Sequence, residues 1–358
     1  MRNVRYVTSL TGASSAVSPS TATALLVTSG VSAASIAFFA RSLTEAGLSA
    51  AAVVFFRFAA TVLITGRRIA LTDRKRVDSA WAFVAGLALG LGWVGYVLAI
   101  ERLPVPLVAT IYMTYPAFTL LATWLISGGR PASRAVAGAA LVLTGAFIAV
   151  GPSDAGVGGW VVLLAVAAPV TFGLVVAVMS DRVHALQPVE TIAATSLGAF
   201  VGLVPLVVAQ PLDAVIPADA RTWLLAIGIG LLTSLLPMML FVVGAPVVGS
   251  ARAAAAASLE LPTVFLIAWV LLAEPPTLAQ LAGGTVILLA IMVSPTRRAP
   301  GDNQPTGQCE PASASRLGAD ARPFLRRSPH ADRSAGSQSA LAAAPRAPRD
   351  HVAGRPGP

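Results

Sequence analysis

Long apolar stretches recur along most of the chain, and they restrict its fold more than any other feature. A helix that crosses the hydrocarbon core of a bilayer needs about 20 apolar residues, and it satisfies its own backbone hydrogen bonds there. Ten stretches come near this length: 22–40, 49–66, 79–99, 104–126, 135–151, 158–179, 190–209, 222–244, 253–273 and 278–294. The sequence therefore predicts an all-α integral membrane protein with about ten transmembrane helices.

The amino-acid composition agrees with a bilayer environment. Hydrophobic residues make up 56% of the chain and charged residues 11%, against roughly 25% charged residues in an ordinary soluble domain. The first stretch is the least apolar, because it contains several hydroxyl residues: Thr23, Thr28, Ser29, Ser32 and Ser35. A signal peptide that begins with Arg2 and Arg5 is the alternative there. The chain lacks a compact apolar segment before residue 21, so we expect a membrane helix.

The distribution of basic residues predicts the orientation in the membrane. A net charge of +9 would also suit a nucleic-acid-binding protein, but most of the basic residues lie in loops and in the C-terminal region. One set of alternating loops holds thirteen Lys and Arg residues, and the other set holds three, Arg41, Arg102 and Arg221. Because basic loops stay in the cytoplasm, we expect both termini there, in a multi-pass protein of the cell membrane that has no nucleic-acid partner.

The composition changes abruptly after about Ser294, where large apolar residues give way to Pro, Ala, Arg, Ser and Gly. This change predicts a disordered basic cytoplasmic tail over 295–358, and 1–21 is expected to form a cytoplasmic N-terminal segment. A tail that binds anionic lipid is the alternative to a purely solvated one. The single cysteine, Cys309, lies in this tail, so no intrachain disulfide and no cysteine-rich metal site are expected.

The two halves of the apolar region resemble each other. At an offset of 146 residues, Pro116 falls on Pro262, and several apolar positions of the fourth and fifth stretches fall on those of the ninth and tenth. Five helices per half is an odd number, so the halves 22–151 and 158–294 are expected to cross the membrane in opposite senses. Secondary transporters built from such inverted repeats hold their substrate near the midplane, between the halves.

Three segments carry a resemblance to a known family. Glu260 to Glu274 reads ELPTVFLIAWVLLAE, the first half contains YPAFTLLATWL, and Phe56-Arg57-Phe58 lies in the second stretch. Over about residues 22–294 the chain resembles the EamA-type members of the drug/metabolite transporter superfamily. It departs from their pattern where the proline is displaced by one position to Pro262, and where Ser127, Gly128 and Gly129 replace a closing Glu. The resemblance implies a transporter, but not which substrate it carries.

Charged residues inside membrane helices are costly and often functional, and the apolar stretches contain few of them. Arg57 and Glu260 lie near the middle of the second and ninth stretches, so we expect them to approach each other across a central cavity. A permanent ion pair that joins two helices is the alternative to a role in transport. A carboxylate in such a cavity is able to take up and release protons, which makes protons the candidate coupling ion.

Aromatic residues complete the candidate pocket. Tyr96, Tyr112 and Tyr115 are the preferred candidates, because a tyrosine offers both an apolar face and a hydrogen-bonding hydroxyl, and Pro116 is expected to kink the helix beside them. Ordinary helix packing is the alternative for each of them. Further residues of the same kind are Trp93, Thr114, Ser258 and Trp269. The pairs Gly86 with Gly90 and Gly283 with Gly284 are expected to form close helix contacts.

Transport of a small molecule is therefore the leading functional hypothesis. The sequence has no HExxH, Walker or GxSxG motif, so we expect neither an enzyme nor a cofactor nor an ATP-driven pump. Export of an amino acid or a related compound is preferred. Drug efflux or solute uptake on the same scaffold is the first alternative, and a membrane-embedded enzyme or scaffold is the second. A homodimer is compatible with the sequence.

Overall fold

A computed structural model describes residues 18–69, 72–73, 75–151 and 159–293. The tail predicted over 295–358 and nearly all of the predicted N-terminal segment lie outside these residues.

The described residues form ten apolar helices and no strand. Their bounds are α1 (Pro19–Glu45), α2 (Ala50–Arg68), α3 (Arg76–Ile100), α4 (Val105–Ser127), α5 (Ser133–Val150), α6 (Gly159–Asp181), α7 (Pro188–Val208), α8 (Ala220–Val248), α9 (Ala255–Leu272) and α10 (Leu278–Val293). Within the described ranges, α1 to α9 are long and apolar enough to cross a membrane, and α10 is shorter. The all-helical prediction is confirmed, and α1 continues five residues beyond its predicted end at residue 40.

The two halves interlock helix by helix. In the first half, α3 packs along α6 and α7 of the second half, while α8 packs along α1 and α2. Since α8 is the counterpart of α3, and α1 and α2 are the counterparts of α6 and α7, the two sets of contacts are the same with the halves exchanged. The other large interfaces join α2 to α7, α5 to α10, and α4 to α6. In the first two of these, the helices that meet are counterparts of each other. This reciprocal packing is what a two-fold relation between halves produces.

Glycines allow the helices of opposite halves to approach closely. A Cβ atom added at Gly86 of α3 would overlap the carbonyl of Thr195 on α7, and one at Gly198 of α7 would overlap the carbonyl of Phe83 on α3. Gly283 of α10 meets the backbone of Gly145 on α5 in the same way. The packing role predicted for Gly86 and Gly283 is confirmed, since no larger residue fits at either position without a backbone shift.

Hydrogen bonds join the loops at each end of the bundle. At one end, Glu274 accepts a hydrogen bond of 2.5 Å from Arg41 and one of 2.7 Å from the backbone N–H of Val105. At this end too, the N–H of Ser49 donates to the carbonyl of Ala214 over 2.8 Å. All of these residues belong to loops or helix ends that the charge count assigned to the weakly basic side.

The opposite end is joined by a second set of bonds. Lys75, just before α3, forms an ion pair of 2.7 Å with Glu190 in the first turn of α7. Asp78 accepts hydrogen bonds of 2.8 and 2.7 Å from the N–H groups of His184 and Ala185, in the loop between α6 and α7. These residues belong to loops of the strongly basic side. The contacts therefore place the loops in the same two groups as the charge pattern.

Gly86→Ala tests the packing of α3 on α7. The added methyl group overlaps the backbone of Thr195, so we expect a loss of stability of about 1–3 kcal/mol, which is typical of an overpacked core. The measurement is the thermal unfolding midpoint of the purified protein in detergent. Gly66→Ala is the matched control, because only a side-chain atom of Val62 lies near the added carbon, at 3.8 Å. Equal midpoints for the two variants would contradict the packing model.

Candidate functional site

The helices α4 and α9 are both interrupted before a proline. In α4 the helix stops at Tyr112 and resumes at Tyr115, next to Pro116. In α9 the interruption precedes Glu260, two residues before Pro262. A proline has no N–H and its ring clashes with the preceding turn, which explains why both helices break at equivalent positions of the internal repeat. The predicted kink at Pro116 is confirmed. Discontinuous membrane helices of this kind border the substrate sites of many transporters.

A third helix, α8, is also irregular. The middle of α8, Leu231–Leu235, is a π-helical segment, and Pro237 follows it. In a π-helix the N–H of residue 237 would bond the carbonyl of Leu232, and in an α-helix it would bond the carbonyl of Thr233. Pro237 has no N–H, so neither carbonyl receives this bond. Side chains from the first half replace it. Ser32 of α1 donates to the carbonyl of Leu232, and Arg57 of α2 donates to that of Thr233 over 3.4 Å.

Two further hydroxyl residues of α1 and α2 also bond this part of α8. Ser29 is buried and donates a hydrogen bond of 2.7 Å to the carbonyl of Pro237. Thr61 of α2 bonds the hydroxyl of Ser234 over 3.1 Å. Two of the hydroxyl residues that make the first stretch less apolar in sequence, Ser29 and Ser32, therefore bind α1 to the irregular part of α8.

Arg57 lies at the centre of this arrangement. Its guanidinium carbon is 3.7 Å from the ring centroid of Trp93, so the two flat groups are in contact. Within the part of the chain that the structure describes, the guanidinium has a single hydrogen bond, the long one to Thr233. Its Nε and Nη1 atoms are buried and have no hydrogen-bond partner among the described residues. A buried donor that lacks an acceptor costs about 1–3 kcal/mol, and more when it is charged.

Five aromatic side chains form a continuous cluster beside Arg57. Trp93 and Tyr96 come from α3, Tyr112 and Tyr115 come from α4, and Phe172 comes from α6. Ring centroids are 5.0 Å apart for Trp93 and Tyr96, 5.3 Å for Trp93 and Tyr112, and 5.0 Å for Tyr115 and Phe172. Tyr112 also contacts Tyr96, Tyr115 and Phe172, at 5.8 to 5.9 Å. This aromatic cluster contains three of the four tyrosines in the chain.

Glu260 is the first residue of the helical segment that follows the break in α9. A carboxylate is favourable there, because the start of a helix carries a partial positive charge. Glu260 interacts electrostatically with Arg57 and with the tyrosines of the aromatic cluster. Between the described residues, however, no ion pair joins it to Arg57. The two charges face the same region without neutralising each other directly, as a permanent ion pair would require.

All five candidate site residues from the sequence thus come together: Arg57, Tyr96, Tyr112, Tyr115 and Glu260. Trp269 does not join them, because 61% of its surface is exposed on the outside of α9. Phe172 and the π segment of α8 are additional parts of the site that sequence reasoning missed. The proline at position 237 was the available signal for the irregular segment, whereas an isolated Phe in an apolar helix carries none.

A separate cavity of about 400 Å³ lies at the weakly basic end. Its charged lining residues are Arg41, Glu101, Arg102 and Glu274. Glu274 joins three helices here, since its two oxygens bind Arg41 at the end of α1 and the first N–H of α4. The closing Glu of the ELPTVFLIAWVLLAE segment therefore holds the ends of α1 and α4 next to the end of α9 through two hydrogen bonds.

The EamA-like transporter family model matches residues 20–151 and 159–295, once for each half of the helical bundle. The chain belongs to the EamA-like transporter family. No curated protein matches the sequence. A solved structure titled "Crystal structure of protein" is similar to this EamA family member with a TM-score of 0.51 and 20% identity, over 76% of this chain and 96% of that chain. That likeness concerns the fold. The protein is thus a multi-pass membrane transporter of the drug/metabolite transporter superfamily.

Glu274→Ala tests the joint between α1, α4 and α9. The substitution removes the acceptor for Arg41 and for the N–H of Val105, so we expect a destabilisation of about 1–3 kcal/mol. A lower unfolding midpoint in detergent would be the readout. Glu45→Ala is the control, because Glu45 is an exposed carboxylate at the end of the same α1. The role given to Glu274 is wrong if both variants unfold at the same temperature.

Proposed function

We propose that this protein is a secondary transporter that exports an amino acid or a related small metabolite across the cell membrane. The observation that supports this best is the convergence of Arg57, Glu260 and the aromatic cluster at the interrupted parts of α4 and α9. Opposite charges beside an amphipathic aromatic wall suit a small molecule that has both polar and apolar parts. The orientation that the loop charges favour places both termini in the cytoplasm.

Alternating access follows from the two-fold arrangement of the halves. The site draws Arg57, Trp93, Tyr96, Tyr112 and Tyr115 from the first half, and Glu260 and Phe172 from the second. Rocking of one half against the other therefore changes the distance between residues that hold the substrate, while the interrupted helices bend at their breaks. In this scheme the two joined ends of the bundle, around Glu274 and around Lys75, open in turn.

Proton coupling is proposed for Glu260. Its carboxylate has no ion-pair partner among the described residues, so uptake of a proton does not require a salt bridge to break. Protonation changes the net charge that Arg57 and Glu260 present to the substrate. If substrate binding causes this carboxylate to release its proton, the transport of substrate is coupled to the transport of protons. A proton gradient then drives accumulation of the substrate.

Glu260→Gln tests this coupling. In proteoliposomes that hold the purified protein, we expect accumulation driven by a pH gradient to fall at least about tenfold, the scale of a lost general acid or base step. Exchange of labelled for unlabelled substrate in the absence of a gradient should persist, because exchange requires no net proton movement. Glu45→Gln is the control. Gradient-driven accumulation equal to that of the wild type would show that another group carries the proton.

The substrate class is tested on the wild-type protein with a panel of labelled amino acids, organic acids, sugars and cationic drugs. Saturable flux of an amino acid or a close relative supports the proposal. Flux of cationic drugs alone would assign the protein to drug efflux, and inward flux against a gradient would assign it to uptake. Correctly inserted protein that moves none of these compounds would contradict the transport of small metabolites.

A further inference from the structure

We infer that Arg57 binds a carboxylate of the substrate, so that the transported molecule is a small organic acid or zwitterion with an apolar body. This inference rests on the proposed transport function of the central site and states which chemical group the site recognises.

The hydrogen-bonding state of Arg57 is the first observation. Three of its N–H donors, one on Nε and two on Nη1, point from atoms that are buried and have no partner among the described residues. The carboxylate of Glu260 interacts electrostatically with Arg57 but forms no ion pair with it. A guanidinium in a membrane interior retains its charge, so an anionic acceptor is the group that completes this site.

The contact between Arg57 and Trp93 restricts where that acceptor binds. The guanidinium carbon lies 3.7 Å from the centroid of the Trp93 ring, so the ring occupies one side of the guanidinium. Its hydrogen bonds then form along the edge, in the plane of the group. A planar carboxylate with two oxygens matches this edge better than a spherical anion does.

The surroundings favour a monoanion that carries an apolar group. Tyr112 and Tyr96 are buried and extend the wall that begins at Trp93, so the body of the substrate contacts aromatic rings. Glu260 interacts electrostatically with Arg57, and its charge opposes a dianion such as phosphate at neutral pH. A carboxylate brings a single negative charge, so this repulsion is weaker for it than for a dianion.

A purely structural role is the competing account of Arg57. Its hydrogen bond to the carbonyl of Thr233 joins α2 to α8, and on that account the substitution of Arg57 weakens the fold and affects all ligands alike. The bond is long, at 3.4 Å, and it occupies one of five N–H donors. The two accounts therefore differ in selectivity, which an experiment can measure.

The experiment compares carboxylic acids with their primary amides, which have nearly the same shape but no negative charge. The pairs are phenylalanine with phenylalaninamide, leucine with leucinamide, and 3-phenylpropionate with 3-phenylpropionamide; inorganic phosphate is added as a dianion. Binding to the purified full-length protein in detergent is measured by calorimetry, and flux is measured in proteoliposomes. We expect at least one acid to bind about ten times or more tightly than its amide, and phosphate to bind no better than the amides.

Arg57→Gln should lower the affinity for that acid about ten- to a hundredfold, the range of a lost charge-assisted hydrogen bond, and leave the affinity for the amide nearly unchanged. Arg57→Lys should retain part of the preference for the acid. Arg68→Gln is the control, because Arg68 is an exposed arginine at the end of the same α2. Unfolding midpoints are recorded for each variant.

Three results would overturn the inference. Amides that bind and move as well as acids in the wild type exclude recognition of a carboxylate, yet leave transport intact. Equal losses for acid and amide in Arg57→Gln, accompanied by a lower unfolding midpoint, assign Arg57 to the fold. Absence of binding and of flux for every compound removes the inference together with the proposed function.

Discussion

Backbone carbonyls that lose their helical partners inside the bilayer are the constraint on which the rest of the structure depends. Lipid offers no hydrogen bonds, so each carbonyl freed by Pro237 needs a donor from the protein. Ser32 and Arg57, on two helices of the first half, supply those donors to α8 of the second half. The same bonds that satisfy the irregular helix hold the halves together, and they fix the position of the one charged donor.

The position of Arg57 makes it unusual among the basic residues of the chain. Burial of a guanidinium in a membrane costs about 2.5–3.5 kcal/mol on insertion scales, and contact with Trp93 offsets part of this cost. One long hydrogen bond does not satisfy the group. A fold that keeps such a residue at its centre is more stable once a ligand supplies the missing acceptors, which is the behaviour expected of a binding site.

The sequence was sufficient to predict the helices, the repeat and the group of residues at the centre. Apolar length located α1 to α9, and Pro116 located the break in α4. It was not sufficient for the contacts between distant helices. Nothing in the chain indicates that Ser32 reaches a carbonyl about 200 residues away, or that Phe172 joins the tyrosines, because an apolar helix has no periodic pattern that distinguishes lipid-facing from buried positions. Trp269 was misplaced for the same reason.

The two ends of the bundle and its centre differ in how their charges are paired, and this difference bears on function. Arg41 with Glu274, and Lys75 with Glu190, form direct ion pairs at the ends, where water competes and such pairs are exchanged at small cost. At the centre, Arg57 and Glu260 remain apart although they interact electrostatically. Direct ion pairs therefore join helices at the ends of the bundle, and none joins the two central charges. Because Arg57 and Glu260 form no ion pair with each other, both groups are able to bind a ligand that carries the opposite charge.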